Sequence, residues 1–198
     1  MNKIIILKLF LLIFCVINSV MIFSQKVEVK NGNINILSEE IIFNVVFNDS
    51  NAIIIGRNRT AKEYYTAKGT THYYDFVAAL DNAHSHFVTF FNTKKRAKIK
   101  SQIDQSQNCL YTLYIDVTSM YVGNGLGGTT ETGGVSLNGK ITLLDNSTKN
   151  IICECIFSDI QGEKAGRFRI RSIYAYEFLA EMLIKEISLP YYKVFYLR

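Results

Sequence analysis

Between Cys109 and Phe157, three consecutive segments carry the two-residue period of a half-buried strand, and turn-forming residues separate them. In the first, Tyr111, Leu113, Ile115 and Val117 alternate with Thr112, Tyr114 and Asp116. In the second, Val135, Leu137, Ile141 and Leu143 alternate with Ser136, Asn138, Lys140 and Thr142, and the run closes on the turn Asp145-Asn146-Ser147. The third, 151–157, places Ile151, Cys153, Cys155 and Phe157 on one face and Ile152, Glu154 and Ile156 on the other. Successive side chains of a strand point to opposite faces, so these segments predict a three-stranded antiparallel meander with one face turned to a core.

The rest of the chain must cover that face. Residues 41–47 and 52–55 are rich in β-branched and aromatic types and predict two earlier strands, ended by Asn48-Asp49-Ser50 and by Gly56. The segment 57–74 is polar and tyrosine-rich, without a clean period. Phe76, Leu80, Ala83, Phe87 and Phe91 recur at helical spacing behind Asp75, which predicts a helix capped there. Ile173, Tyr176, Ala180, Leu183 and Ile187 mark a second amphipathic helix that stops near Pro190, and Tyr191–Leu197 reads as a terminal strand. The predicted class is α+β (mixed α/β): a sheet built on the meander and covered by two amphipathic helices. No linker divides the chain, so 25–198 is expected to be one globular domain.

Lys3 and Lys8 accompany an apolar stretch from Ile4 to Val16, followed by Asn18, Ser19 and then Ile22-Phe23-Ser24-Gln25. That order predicts a signal peptide over 1–24, cleaved to leave Gln25 first, a pattern that resembles exported proteins of the Bacteroidetes. The apolar run is shorter than the roughly 20 residues of a spanning helix. Cys15 offers a lipoprotein alternative, against which stands the bulky Phe14 before it. Without 1–24 the chain has 20 basic and 17 acidic residues, a balance of +3 that argues against a nucleic-acid partner. Cys109, Cys153 and Cys155 remain; either of the last two could form a disulfide with Cys109, or all three could serve as small buried apolar residues.

Gly123, Gly125 and Gly128 spell G-x-G-x-x-G, with Asp145 at about the distance of a ribose-binding acid. The following segment has strand period rather than the helix a pyrophosphate needs, so no cofactor is assigned. The same stretch, including Gly123, Asn124, Gly125, Leu126, Gly127, Gly128, Thr129 and Glu131, is instead a candidate partner-contact tip. Tyr64, Tyr65, Tyr73 and Tyr74 are a candidate aromatic contact surface. His84 and His86 fall on different sides of a helix, and no metal ligand set emerges from them and His72. There is no G-x-S-x-G nucleophile elbow; Asp116 and Glu154 are the carboxylates to consider for glycoside chemistry, and no catalytic residue is assigned. Lys94, Lys95, Arg96, Lys98 and Lys100 form a short basic run suited to a solvated helix end or a membrane-surface contact.

Over 41–188 the order of elements resembles a group of bacterial envelope proteins: the periplasmic domain of the curli secretion channel, the amino-terminal domain of the Tol translocation protein, and the penicillin-binding-protein activator lipoproteins. The resemblance lies in Phe47-Asn48 on a leading strand, Phe76-Val77-x-x-Leu80 on a helix, a strand rising to a glycine-rich hairpin, Leu144-Asp145, and a closing helix from near Arg171. It implies a noncatalytic adaptor or assembly subunit in the periplasm or on the periplasmic face of the outer membrane, bound to an envelope protein or to itself. A periplasmic glycan-binding or hydrolytic domain is the alternative. No small-molecule ligand is identified.

Overall fold

A computed structural model describes residues 25–96, 99–105, 108–123, 134–162 and 167–188. The expected signal peptide and the terminal strand at Tyr191–Leu197 lie outside the described residues.

The chain is α+β, with one mixed sheet and three α-helices among the described residues. In chain order the elements are β1 (Lys26–Gly32), a 3-10 turn (Ile34–Ser38), β2 (Ile42–Asn48), β3 (Ile53–Ile54), β4 (Arg59–Thr60), α1 (Ala61–Lys68), α2 (Thr70–Lys94), β5 (Gln102–Ile103), β6 (Tyr111–Tyr121), β7 (Ser136–Asp145), β8 (Ile151–Gln161) and α3 (Phe168–Ser188). The sheet runs β1-β8-β7-β6-β2-β5, and β3 joins the far end of β6 while pairing with β4. The meander β6-β7-β8 is antiparallel throughout, whereas β2 lies parallel to β6 and to β5. The parallel pairing follows from connectivity: the chain leaves β2, crosses through α2 and re-enters the sheet in the same direction.

Register carries one apolar row across the sheet. Val45 faces Leu113, which faces Leu143, which faces Cys153; Phe47, Ile115, Ile141 and Cys155 form the next row. The aromatic side chains of α2 close on it, with Phe91 edge-on to Phe43 at 5.6 Å and Phe87 edge-on to Phe47 at 5.3 Å. The stripe Phe76, Leu80, Ala83, Phe87 and Phe91 of α2 is buried, as are Tyr176, Ala180, Leu183 and Ile187 of α3. Both long helices therefore cover the same face, as the two stripes predict.

Three readings are corrected. The helix expected from Asp75 begins at Thr70, because the break is Gly69 at φ 120°, and Tyr73 packs on the core one turn before the stripe. The segment 57–74 holds α1, opened by a capping box: Thr60 Oγ1 accepts from the Glu63 N–H at 3.2 Å, and the Glu63 carboxylate accepts from the Thr60 N–H at 2.9 Å. Those bonds hold the Glu63 carboxyl below its ordinary range. The strand expected at 52–55 shrinks to Ile53–Ile54, since the chain turns back at Gly56 to pair as β4. The edge strand β1, unassigned above, alternates Val27 and Val29 toward the core with Lys26, Glu28 and Lys30, which form exposed ion pairs.

Candidate functional site: an exposed sheet face and a buried Asp-His-Tyr network

A buried polar network forms where β2 ends. Asp49 follows that strand and its carbonyl accepts the Ala52 N–H at 2.9 Å, so the turn aims the carboxylate back under the helices. His84 Nε2–H of α2 donates to Asp49 Oδ2 at 2.8 Å, and the Tyr176 hydroxyl of α3 donates to the same oxygen. Side-chain exposure is 2% for Asp49 and 17% for His84. Phe47 stacks flat on the imidazole at 4.0 Å, and Tyr176 meets its edge at 5.0 Å. Burial, and then the charge of Asp49 and its hydrogen bond, push the Tyr176 phenol well above its ordinary range. The contacts of this network join one strand end to two helices, so it works as a polar rivet. A second link, His86 Nδ1 to Glu177 Oε1 at 2.9 Å, lies nearer the surface. The two histidines thus diverge as their spacing predicts.

The opposite face of the sheet carries the carboxylates considered for glycoside chemistry. Asn48 Nδ2 donates to Asp116 at 3.1 Å, and Lys140 pairs with Glu154 at 2.9 Å. Asp116 stands opposite Lys140 in register, so β7 and its lysine lie between the two acids, whose strands are about 10 Å apart. Around them this face exposes Ile42 (53%), Val46 (37%) and Ile156 (45%), with Tyr114 half-buried among them.

The four tyrosines do not share one surface. Tyr65 is fully buried, stacked on Phe76 at 4.1 Å and tilted against Phe168, which removes it from the expected contact surface: α1 turns residue 65 to the core. Tyr64 is half-buried under the ammonium of Lys68, 4.4 Å from its ring. Tyr73 packs on the core, and Tyr74 is 66% exposed. Of the basic run, Lys95 is spent on the Ser101 carbonyl at 2.7 Å, and Lys98 lies outside the described residues.

No disulfide joins Cys109, Cys153 and Cys155, all three of them buried, so neither expected bridge is formed. Cys153 and Cys155 share the helix-facing side of β8, while Cys109 donates toward the Asp104 carbonyl at 3.6 Å before β6 begins. Among the described residues no three His, Cys, Asp or Glu side chains converge to hold a metal, and no helix is long and apolar enough to cross a membrane. Of the glycine-rich tip, Gly123 is described, at φ 76°; it lines a groove of about 220 Å³ with Ile54, Ile55, Gly56, Arg57, Tyr121 and Val122. Asn124, Gly125, Leu126, Gly127, Gly128, Thr129 and Glu131 lie outside the described residues.

Sequence reasoning read Asn48-Asp49-Ser50 as a turn and missed Asp49 as the centre of the polar network. Its partners are 35 and 127 positions away, and no local pattern marks them.

No family model matches the chain, and no curated protein matches it. Among solved structures, a PelC dodecamer from Paraburkholderia phytofirmans is similar at 15% identity and a TM-score of 0.41, covering 80% of this chain and 96% of that one. A PelC dodecamer from the same organism with a single leucine-to-methionine substitution is similar at 12% identity and a TM-score of 0.38, covering 81% and 98%. At that level the likeness assigns no role to the present chain.

Proposed function

We propose that this chain is a noncatalytic, exported cell-envelope protein that binds another protein, as an adaptor or an assembly subunit, through the sheet face left exposed by its helices. The observation that carries this reading is the asymmetry of the sheet. One face is buried beneath α2 and α3; the other exposes Ile42, Val46 and Ile156 amid the paired side chains Asn48–Asp116 and Lys140–Glu154. Exposed aliphatic side chains interspersed with paired polar groups are the mixed composition of a protein-contact surface. The same pairings leave Asp116 and Glu154 engaged with neighbours, which supports binding over hydrolysis. The glycine-rich stretch 123–134, expected from the sequence to be a contact tip, enters this reading as a second contact element.

The test is crosslinking of the tagged full-length protein in its native host, followed by fractionation of the envelope and mass spectrometry of what is captured. A variant carrying Ile42→Lys, Val46→Lys and Ile156→Lys, and another lacking 124–132, are compared with the parent. The reading expects a discrete partner, or a second copy, that is lost from the triple variant while thermal unfolding is unchanged. Recovery of the parent protein alone, or capture indifferent to the triple variant, overturns it.

A further inference from the structure

Cys153 and Cys155 stand two positions apart on β8 with their sulfurs 3.8 Å from each other and both side chains buried. Register sets Cys153 between Leu143 and Gly32, and Cys155 between Ile141 and Val29, so the framing residues on the neighbouring strands are aliphatic or glycine. Glu154, between them in sequence, faces the other side of the sheet and is held by Lys140. The charge of Glu186 on α3 reaches Cys155.

Strand geometry keeps these thiols from closing on each other. Residues two apart on a strand have Cα atoms about 6.6–6.8 Å apart, at the outer limit of roughly 6.8 Å for a disulfide. A bridging cation asks for less. Two metal–thiolate bonds of about 2.3 Å span roughly 4.6 Å when collinear, within about 1 Å of the observed 3.8 Å. Side-chain rotation supplies that difference, and a bent S–metal–S angle needs less still. Zinc asks for four ligands, and no third His, Cys, Asp or Glu joins the pair among the described residues. Two soft donors in an apolar frame select instead for a soft cation content with two ligands.

We propose that Cys153 and Cys155 form a two-coordinate site for a soft monovalent cation of the copper(I) or silver(I) class. Binding makes two metal–sulfur bonds, the thiol protons leave to solvent, and no atom changes oxidation state. The site lies on the covered face of the sheet and is independent of the protein-binding surface.

The experiment titrates the reduced full-length chain with silver(I), the redox-inert probe, and then with copper(I) delivered from a competing chelator. Stoichiometry is read by native mass spectrometry, thiolate coordination by its ultraviolet charge-transfer band, and stabilisation by thermal unfolding. One cation per chain, with a rise in Tm, is expected for the parent and for Cys15→Ser and Cys109→Ser. Cys153→Ala and Cys155→Ala, which keep the core apolar, should each abolish tight binding and the Tm rise while remaining folded without metal. If the parent takes up no silver against the chelator, or if the folded Cys153→Ala or Cys155→Ala variant binds as the parent does, the proposal is overturned. Uptake lost from Cys109→Ser alone overturns it as well.

Discussion

Asp49 and His84, 35 residues apart, meet at 2.8 Å beneath the helices, with the imidazole lying flat on Phe47. Because Tyr176 donates to the same carboxylate, removing Asp49 strands two buried donors at once. Asp49→Ala should lower unfolding stability by about 3 kcal/mol, and Tyr176→Phe, which removes one donor and leaves the carboxylate its histidine, by about 1 kcal/mol. Denaturant unfolding of both variants at neutral pH, with unchanged m values, checks the ranking. Equal costs for the two would show that the carboxylate is not the hub.

The raised phenol of Tyr176 links stability to alkaline pH. The native state holds this proton more tightly than the unfolded chain, whose tyrosine titrates near its ordinary value of about 10. Above that value the unfolded state has lost the proton and the native state has kept it, so stability is full below pH 10 and falls as pH rises beyond it. Tyr176→Phe should be less stable than the parent at neutral pH yet lose less between pH 10 and 11. Parallel stability curves for the two proteins would contradict the assignment.

Gly139 and Phe157 face each other across β7 and β8, and a Cβ at Gly139 would sit 2.4 Å from the Phe157 ring and 2.1 Å from the Asp116 carbonyl oxygen. The second obstacle is backbone. Gly139→Ala should therefore cost about 2–3 kcal/mol, and trimming Phe157 to Leu in the same chain should not restore it. Gly56 is the contrast: φ is 81°, but nothing stands within 4 Å of an added Cβ. Gly56→Ala should cost about 1 kcal/mol, from backbone conformation alone. Urea midpoints of the three variants decide the matter.

The two faces of the sheet should respond oppositely to substitution. Phe87 is fully buried against Phe47, and Phe87→Ala should cost about 3–5 kcal/mol. Val46→Lys, on the strand carrying Phe47 but on the exposed face, should shift stability by no more than about 0.5 kcal/mol. A large loss from Val46→Lys would mean that the described chain already covers that face.

Thr60→Ala removes the hydroxyl that accepts the Glu63 N–H and should weaken α1 by about 1 kcal/mol. Because α1 carries Tyr65 onto Phe76, faster amide exchange in 61–68 should accompany the loss. Unchanged exchange there would show that packing of Tyr65 alone holds the helix.

The α+β class, the meander and the two covering helices were legible because their signals are local: a period of two along β6, β7 and β8, and Phe76, Leu80, Ala83, Phe87 and Phe91 on one helical stripe. Two further local signals went unread. Lys26-Val27-Glu28-Val29-Lys30 is a clean alternation and becomes β1, and Thr60-x-x-Glu63 is a capping box and opens α1. Gly69, not Asp75, sets where α2 begins, since a backbone at φ 120° ends one helix whatever capping residue follows. The burial of Tyr65 beside the half-buried Tyr64 depended on how α1 rolls against Phe76, which 57–74 does not encode by itself.

What the amino-acid order determined by itself is the type of each long element and the side it buries, because backbone geometry converts spacing directly into facing. What only the tertiary structure decided is pairing at a distance: β2 laid parallel to β6, Asp49 brought to His84 and Tyr176, and Lys140 set between Asp116 and Glu154. Those contacts are chosen by the joint packing of sheet and helices around one core, a free energy shared among residues far apart in the chain and therefore carried by no single stretch of it.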